Sequence, residues 1–267
     1  RKIALVSGAA GAIGFATARL LLERGAHVVL SDLPGEALDR AVEELARIHT
    51  ADRVLGVAMD VSDENQVERA FHDCVLAFGG LDILVANAGI AHTGSLDALA
   101  LEDWERVLRV NETGTFLCLR EAARLMKWQR LGGRLILNAS KNVPPPGADF
   151  AAYSASKAGA VQVARVAALE LAEHGITVNL VHADGVFADE ESGRSSGLWD
   201  SVGPERMASR GQSPEELRSH YQERNLLQVP VSARHVAEAI AFFAEGRTPT
   251  TGAALTVDGG HKETFYR

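Results

Sequence analysis

Ile3-Ala4-Leu5-Val6-Ser7-Gly8-Ala9-Ala10-Gly11-Ala12-Ile13-Gly14 is the stretch on which the fold turns. A short apolar run meets a glycine-rich turn. A helical run from Phe15 to Arg24 follows, closed by Gly25, and Ala26 to Leu30 then forms a second β-rich run ending in Ser31-Asp32. Strand, turn, helix and strand in that order make a βαβ unit of a parallel sheet. The glycines let backbone N–H groups at a helix N-terminus approach a pyrophosphate. Asp32 stands 18 residues beyond Gly14, where a carboxylate accepts hydrogen bonds from adenosine ribose hydroxyls and repels a 2′-phosphate. Leu33, not an arginine, follows it.

The pattern repeats outward from this unit. Glu36 to Ile48 reads as a helix and Arg53 to Met59 as a strand ending in Asp60-Val61. Ser62 is expected to cap the next helix, with Asn65 in a weak capping-box position, and that helix runs to Phe78 before Gly79-Gly80. Asp82 to Ala86 is a fourth strand followed by Asn87-Ala88-Gly89. Leu101 to Lys127 is one long amphipathic helical stretch with Asn111 in its middle. Residues 134–139, Thr177 to Val181 and Ala254 to Val257 supply further strands, and Ala233 to Ala244 a helix. Residues 182–225 are less regular. No repeat or linker divides the chain, so residues 1–267 are expected to form a single domain, with an irregular substrate segment at about 185–225.

A second stretch, Ser140 to Lys157, ends an apolar run with a hydroxyl, passes through a Pro/Gly loop and places Tyr153 and Lys157 four residues apart. On a helix the two side chains share a face, and an ammonium beside a phenol favours the phenolate. Taken alone, an exposed Tyr/Lys pair at this spacing is common. A net charge of -8 and a pI near 5.6 argue against a nucleic-acid surface. Cys74 and Cys118 lie in apolar helical sequence without metal spacing and read as buried thiols of a reducing, cytoplasmic compartment. No run approaches the ~20 apolar residues of a membrane span. The chain begins at strand sequence without Met, which suggests trimming or excision from a longer protein.

These motifs together closely resemble the short-chain dehydrogenase/reductase family. Ser7-Gly8-(x3)-Ala12-Ile13-Gly14 matches its glycine-rich turn, Asn87-Ala88-Gly89 its NAG, Asn111 its mid-helix Asn, Ser140 its serine and Tyr153-(x3)-Lys157 its YxxxK. Tyr153 lies 13 positions after Ser140, the family's spacing, and Val257-Asp258-Gly259-Gly260 matches the end of the last strand. The resemblance implies a Rossmann-type doubly wound α/β fold, a parallel sheet with helices on both faces, and NAD as cofactor. Gly8, Gly11, Ala12, Ile13, Gly14, Asp32, Asp60, Val61, Asn87, Ala88, Gly89, Tyr153, Lys157, Asp184 and Val186 would bind it. Tyr153 would exchange the substrate proton, Lys157 would lower its pKa and hold the nicotinamide ribose, and Ser140 would orient the substrate oxygen. Asn111 would bend its helix and hold a relay water. The chain departs from the pattern where Ser7 replaces Thr, Ala12 replaces the middle glycine, Ala183-Asp184 replaces Pro-Gly and Ala188 replaces a Thr.

A narrower resemblance absorbs these departures. Ser140-Lys141-Asn142, Ala183-Asp184, the loop around Gly197-Leu198-Trp199, Glu223 to Leu227 and the tail Thr264 to Arg267 look like one subgroup. Its members are dehydrogenase domains fused behind a class II (rhamnulose-phosphate) aldolase in bacterial deoxy-sugar catabolism. The implied reaction is NAD-dependent oxidation of a small hydroxy-aldehyde such as lactaldehyde, or of a sugar alcohol. Lys141, Asn142, Asp184 and Trp199 are the substrate candidates, against the plainer reading of solvated loop and packing. His182 reads as a strand-end polar residue rather than a base, and no metal set is present. A non-catalytic NAD sensor would usually lack Tyr153 or Lys157; an extended-family epimerase would carry a larger C-terminal domain. The helix from Ala151 to Glu173 is apolar on more than one face and suggests a homotetramer or homodimer.

Overall fold

The computed structural model describes residues 2–264; the end of the tail motif, residues 265–267, lies outside them. Strands β1 (Ile3–Ser7), β2 (His27–Asp32), β3 (Val54–Ala58), β4 (Ile83–Ala86), β5 (Gly133–Asn138) and β6 (Ile176–Ala183) precede a small antiparallel ribbon of β7 (Ala188–Asp189) and β8 (Arg194–Ser195). Strand β9 (Ala254–Val257) comes last. The sheet is parallel throughout, in the order β3-β2-β1-β4-β5-β6-β9. Its direction of growth reverses between β1 and β4, where open α/β sheets bind ligands at the carboxyl ends of their strands.

Nine helices connect the strands among the described residues: α1 (Ala12–Glu23), α2 (Glu36–Ile48), α3 (Glu64–Phe78), α4 (Leu101–Leu108), α5 (Gly114–Gln129), α6 (Ala151–Leu171), α7 (Gly197–Arg210), α8 (Pro214–Glu223) and α9 (Ala233–Glu245). Strand residues alternate between two core layers. Ala4, Val6, Val28 and Leu30 pack with α1, α2 and α9, while Leu5, Val29, Leu84 and Leu135 pack with α3, α5 and α6. Both faces are covered, which is why the strands read as unbroken apolar runs.

Three local expectations change. The helical stretch from Leu101 is not continuous: Arg109–Thr113 form a π turn between α4 and α5, with Asn111 at its centre. The cap of α3 is Asp63, whose carboxylate accepts from the Gln66 N–H at 3.1 Å, while Ser62 gives its hydroxyl to Asp60. The irregular segment contains α7 and α8. Pro204 and two glycines within α7 hide it from propensity. The Ser213-Pro214 start with Glu216 is a complete capping box. The ribbon before α7 is tied down by Arg19 to Glu191 at 2.8 Å and Arg194 to Glu44 at 2.7 Å, so α7 and α8 start from a fixed base. Cys74 and Cys118 are buried free thiols, each pushed up to about 12 by burial. No helix is long and apolar enough to cross a membrane, and no metal-holding cluster occurs among the described residues.

Candidate active site

The glycine turn closes by contact that side chains would prevent. Gly8 has φ +65°, and a Cβ on it would lie 2.9 Å from the Ala88 Cα. A Cβ on Gly14 would lie 2.1 Å from the Gly8 carbonyl oxygen, so the first turn of α1 rests directly on the loop. At Gly11 a Cβ would make only an ordinary contact, 3.7 Å from the Gly8 carbonyl oxygen. Gly11 is the N-cap of α1, with no side-chain cap and no acidic residue in the first turn. The first N–H groups of α1 are therefore left to an anionic ligand, which fits a dinucleotide pyrophosphate. The Ala12 methyl packs into the core with Phe15 and Ala16, so its replacement of glycine leaves the approach at Gly11 clear.

Asp32 sits at the end of β2, its oxygens accepting from Ala10 N–H and Leu33 N–H at 2.8 Å each. Asn87 stitches the switch point together. Its Nδ2 donates to the carbonyls of Ser7 at 2.9 Å and Gly8 at 3.1 Å, and Ser7 Oγ accepts from the Asn87 and Ala88 N–H groups. The Asp60 carboxylate is occupied by the N–H and hydroxyl of Ser62, and Val61 packs against Gly114 of α5.

Across the sheet edge, Ser140 follows β5 and Tyr153 and Lys157 project from α6. All three are buried. Ser140 Oγ accepts from the Asn142 N–H at 3.1 Å, which turns its own O–H outward as a donor, and this O–H meets the Tyr153 phenol. His182 Nδ1 lies 2.8 Å from the Ser140 carbonyl oxygen, so Nδ1 carries the proton; burial holds the ring below its usual pKa, in the neutral form. His182 is thus a polar residue near the end of β6, as read from the sequence, and being fully buried it supports Ser140 from beneath.

The downward shift expected for Tyr153 from the sequence is not what burial produces. Burial pushes the Tyr153 phenol up to about 12, the Ser140 hydrogen bond offsetting only part of this. Burial also brings Lys157 down to about 8. Its ammonium donates to the Asn138 carbonyl at 3.1 Å and lies 5.9 Å from the centre of the Tyr153 ring, so it does not bond the phenol. Desolvation is the largest cause of both shifts.

Every site residue named from the sequence lines one cleft of about 950 Å³, except Asn111. Asn111 lies fully buried behind it. Its Nδ2 donates to the Ile90 carbonyl at 2.8 Å and to Ser156 Oγ at 2.9 Å, its Oδ1 accepts from the Ile90 N–H, and Ser156 passes its own proton to the Tyr153 carbonyl. A Cβ on Gly89 would fall 3.1 Å from Asn111 Oδ1 and 3.2 Å from Lys157 Nζ; that glycine lets the two approach.

The outer part of the cleft comes from α7 and α8. Trp199 stacks on Phe187 at 4.4 Å and meets Tyr221 edge-on at 4.8 Å. Asp184 accepts from Arg224, whose guanidinium lies 3.8 Å above the Tyr221 ring. Arg206, over the Phe150 ring at 4.8 Å, closes the same end. Sequence reasoning missed Tyr221, Arg224 and Arg206 as site residues, and no spacing rule would have found them. The unusual Asp184 is explained by its partner: the pair ties the end of β6 to α8. Arg224→Ala should lower kcat/KM and Asp184→Asn should do so less. A double-mutant cycle should give a coupling of about 1 kcal/mol or more; additive losses would show that the pair does not act as a unit.

Residues 2–195 match the short chain dehydrogenase family. The chain is 40% identical over 269 residues to the uncharacterized oxidoreductase YuxG of Bacillus subtilis, covering 100% of this chain and 38% of that protein. The chain thus spans well under half of that relative's length. It is 37% identical over 265 residues to the cis-4-hydroxycyclohexanecarboxylate dehydrogenase of Sinomonas cyclohexanicum, covering 97% of this chain and 96% of that one. Among solved structures, sorbitol-6-phosphate 2-dehydrogenase SrlD from Erwinia amylovora superposes with a TM-score of 0.88 at 30% identity, over 96% of this chain and 98% of that one. With the glycine turn, the parallel sheet and the Ser140, Tyr153 and Lys157 cluster, these likenesses place the chain in the short-chain dehydrogenase family of oxidoreductases.

Proposed function

We propose that the protein is an NAD-dependent dehydrogenase of a small hydroxy-aldehyde, alcohol or sugar-derived carbonyl compound. The observation that carries this reading is the single cleft joining the uncapped α1 N-terminus and Asp32 at one end to Ser140, Tyr153 and Lys157 at the other. Bound NAD would supply the hydride acceptor. Gly8, Gly11, Ala12, Ile13 and Gly14 would form its pyrophosphate cradle. Asp32 would hold the adenosine ribose, Asp60 and Val61 the adenine side, and Asn87, Ala88, Gly89, Asp184 and Val186 the nicotinamide half.

In this reading the Ser140 O–H donates to the substrate oxygen, and Tyr153 exchanges the proton on that oxygen. Lys157 holds the nicotinamide ribose and passes protons toward the Asn111 turn. Lys141, Asn142 and Trp199 border the substrate. A place in deoxy-sugar catabolism rests on the motifs around Lys141 and Asp184. Phe116, Val166 and Leu169, left exposed on α5 and α6, support pairing of subunits through these helices.

Turnover followed at 340 nm with NAD or NADP and a panel of small alcohols and aldehydes tests the reading. NAD should be preferred by kcat/KM, because the Asp32 carboxylate, held by two backbone N–H groups, repels a 2′-phosphate and is followed by Leu33 rather than an arginine. Asp32→Ala should narrow that preference by about tenfold or more, the factor that about 1.4 kcal/mol represents. An NADP preference in the unaltered enzyme sinks the cofactor assignment. NAD binding without any turnover favours a sensor.

A further inference from the structure

We infer that Lys141 is an anion-binding residue: the ammonium beside Ser140 receives a carboxylate or phosphate carried by the substrate. The inference rests on the dehydrogenase reading and adds the substrate's charge to it.

Lys141 is the residue after Ser140, and its own N–H donates to the Ala183 carbonyl at 3.1 Å, so its backbone is fixed between β5 and β6. Its side chain is half-buried on the wall of the cleft. The other cations of that end are engaged. Arg224 pairs with Asp184, Arg206 lies 3.7 Å from the Asp149 carboxylate, and Arg210 meets His220 Nε2 at 2.7 Å. Among the described residues, the Lys141 ammonium makes no hydrogen bond or ion pair. Asp184 and Glu263 are near enough to act on it electrostatically, yet neither reaches it as a partner. Burial lowers its pKa, which is the signature of an ammonium given less water without a full countercharge.

A half-desolvated cation without a partner, next to the group that orients the reacting oxygen, is matched by an anion on the same small molecule. The same cleft is also lined by Trp199 and Tyr221, whose rings suit a short carbon body beside the anion. A charged hydrogen bond of about 1.5–3 kcal/mol corresponds to roughly a 10- to 100-fold preference for the anion over a neutral isostere.

The test uses the NAD-loaded enzyme and matched pairs of probes: lactate against propane-1,2-diol for the carboxylate, and glycerol 3-phosphate against glycerol for the phosphate. Binding is read from thermal shifts and turnover from absorbance at 340 nm. One anion should bind at least about tenfold more tightly than its neutral counterpart. Lys141→Met should abolish the difference, mainly through KM, and Lys141→Arg should retain much of it. The arm that shows the difference identifies the anion. The inference is overturned if both anions are indistinguishable from their neutral counterparts, or if Lys141→Met leaves the discrimination intact. Failure of NAD itself to shift the melting temperature would instead strike at the dehydrogenase reading.

Discussion

Tyr153→Phe is expected to lower kcat by about 10²- to 10⁴-fold, the range that a positioned general acid or base contributes, while leaving affinity for the nicotinamide cofactor nearly intact. The ring is buried and packs with Phe150 and Ala152, so phenylalanine keeps the shape and removes only the hydroxyl. That hydroxyl touches Ser140. Since burial pushes the phenol up to about 12, the protonated form dominates at neutral pH. A phenol is ready to donate, so carbonyl reduction should be nearly flat through the neutral range. Alcohol oxidation needs the phenolate, so its kcat/KM should climb with pH by up to about tenfold per unit. Profiles in both directions, with NAD affinity measured by fluorescence, check this. A variant that keeps a substantial part of its turnover, or an oxidation rate indifferent to pH, contradicts the assignment.

How much of this was legible in the sequence follows from how local each determinant is. The β1, turn, α1 and β2 unit is written in adjacent residues: an apolar run, glycines where backbone must touch backbone, and a terminal carboxylate. The Tyr153 and Lys157 pair is equally local, one turn apart on α6. What the sequence could not carry was their burial, which comes from distant packing and raises the Tyr153 pKa where a fall was expected. Asn111 shows the same limit. Its break in the helix is held by Ile90 and Ser156, 21 and 45 residues away, and nothing near Asn111 announces them. The Asp184 carboxylate looked anomalous until Arg224, 40 residues on, supplied its partner. By contrast, α8 was readable: Ser213, Pro214 and Glu216 spell its start, and the surrounding glycines and prolines concealed it.

Lys157→Met should move activity and stability in opposite directions. The ammonium is buried and lowered from 10.5 to about 8 by desolvation alone. At about 1.4 kcal/mol per pH unit, holding it charged costs the native state on the order of 3 kcal/mol. The sign is that of a cation with a depressed pKa. Between about 8 and 10.5 the unfolded chain keeps a proton that the native chain has released, so stability rises with pH there. Below about 8 the whole cost is present. Methionine fills a similar volume without charge and loses the hydrogen bond to the Asn138 carbonyl, worth about 1 kcal/mol. The variant should therefore melt higher at neutral pH, by about 2–4 °C for each kcal/mol gained. The gain should shrink as the pH approaches 10.5, where the unaltered enzyme no longer holds the charge. Turnover should nevertheless fall by about 10²-fold or more, because the cation that in the proposed reading would hold the nicotinamide ribose and feed the relay is gone. Calorimetry at neutral and alkaline pH beside initial rates measures both halves. A variant that melts lower at neutral pH contradicts the burial cost, and one that stays active contradicts the role of Lys157. The expected outcome is a residue kept at the expense of stability, as functional groups in buried sites are.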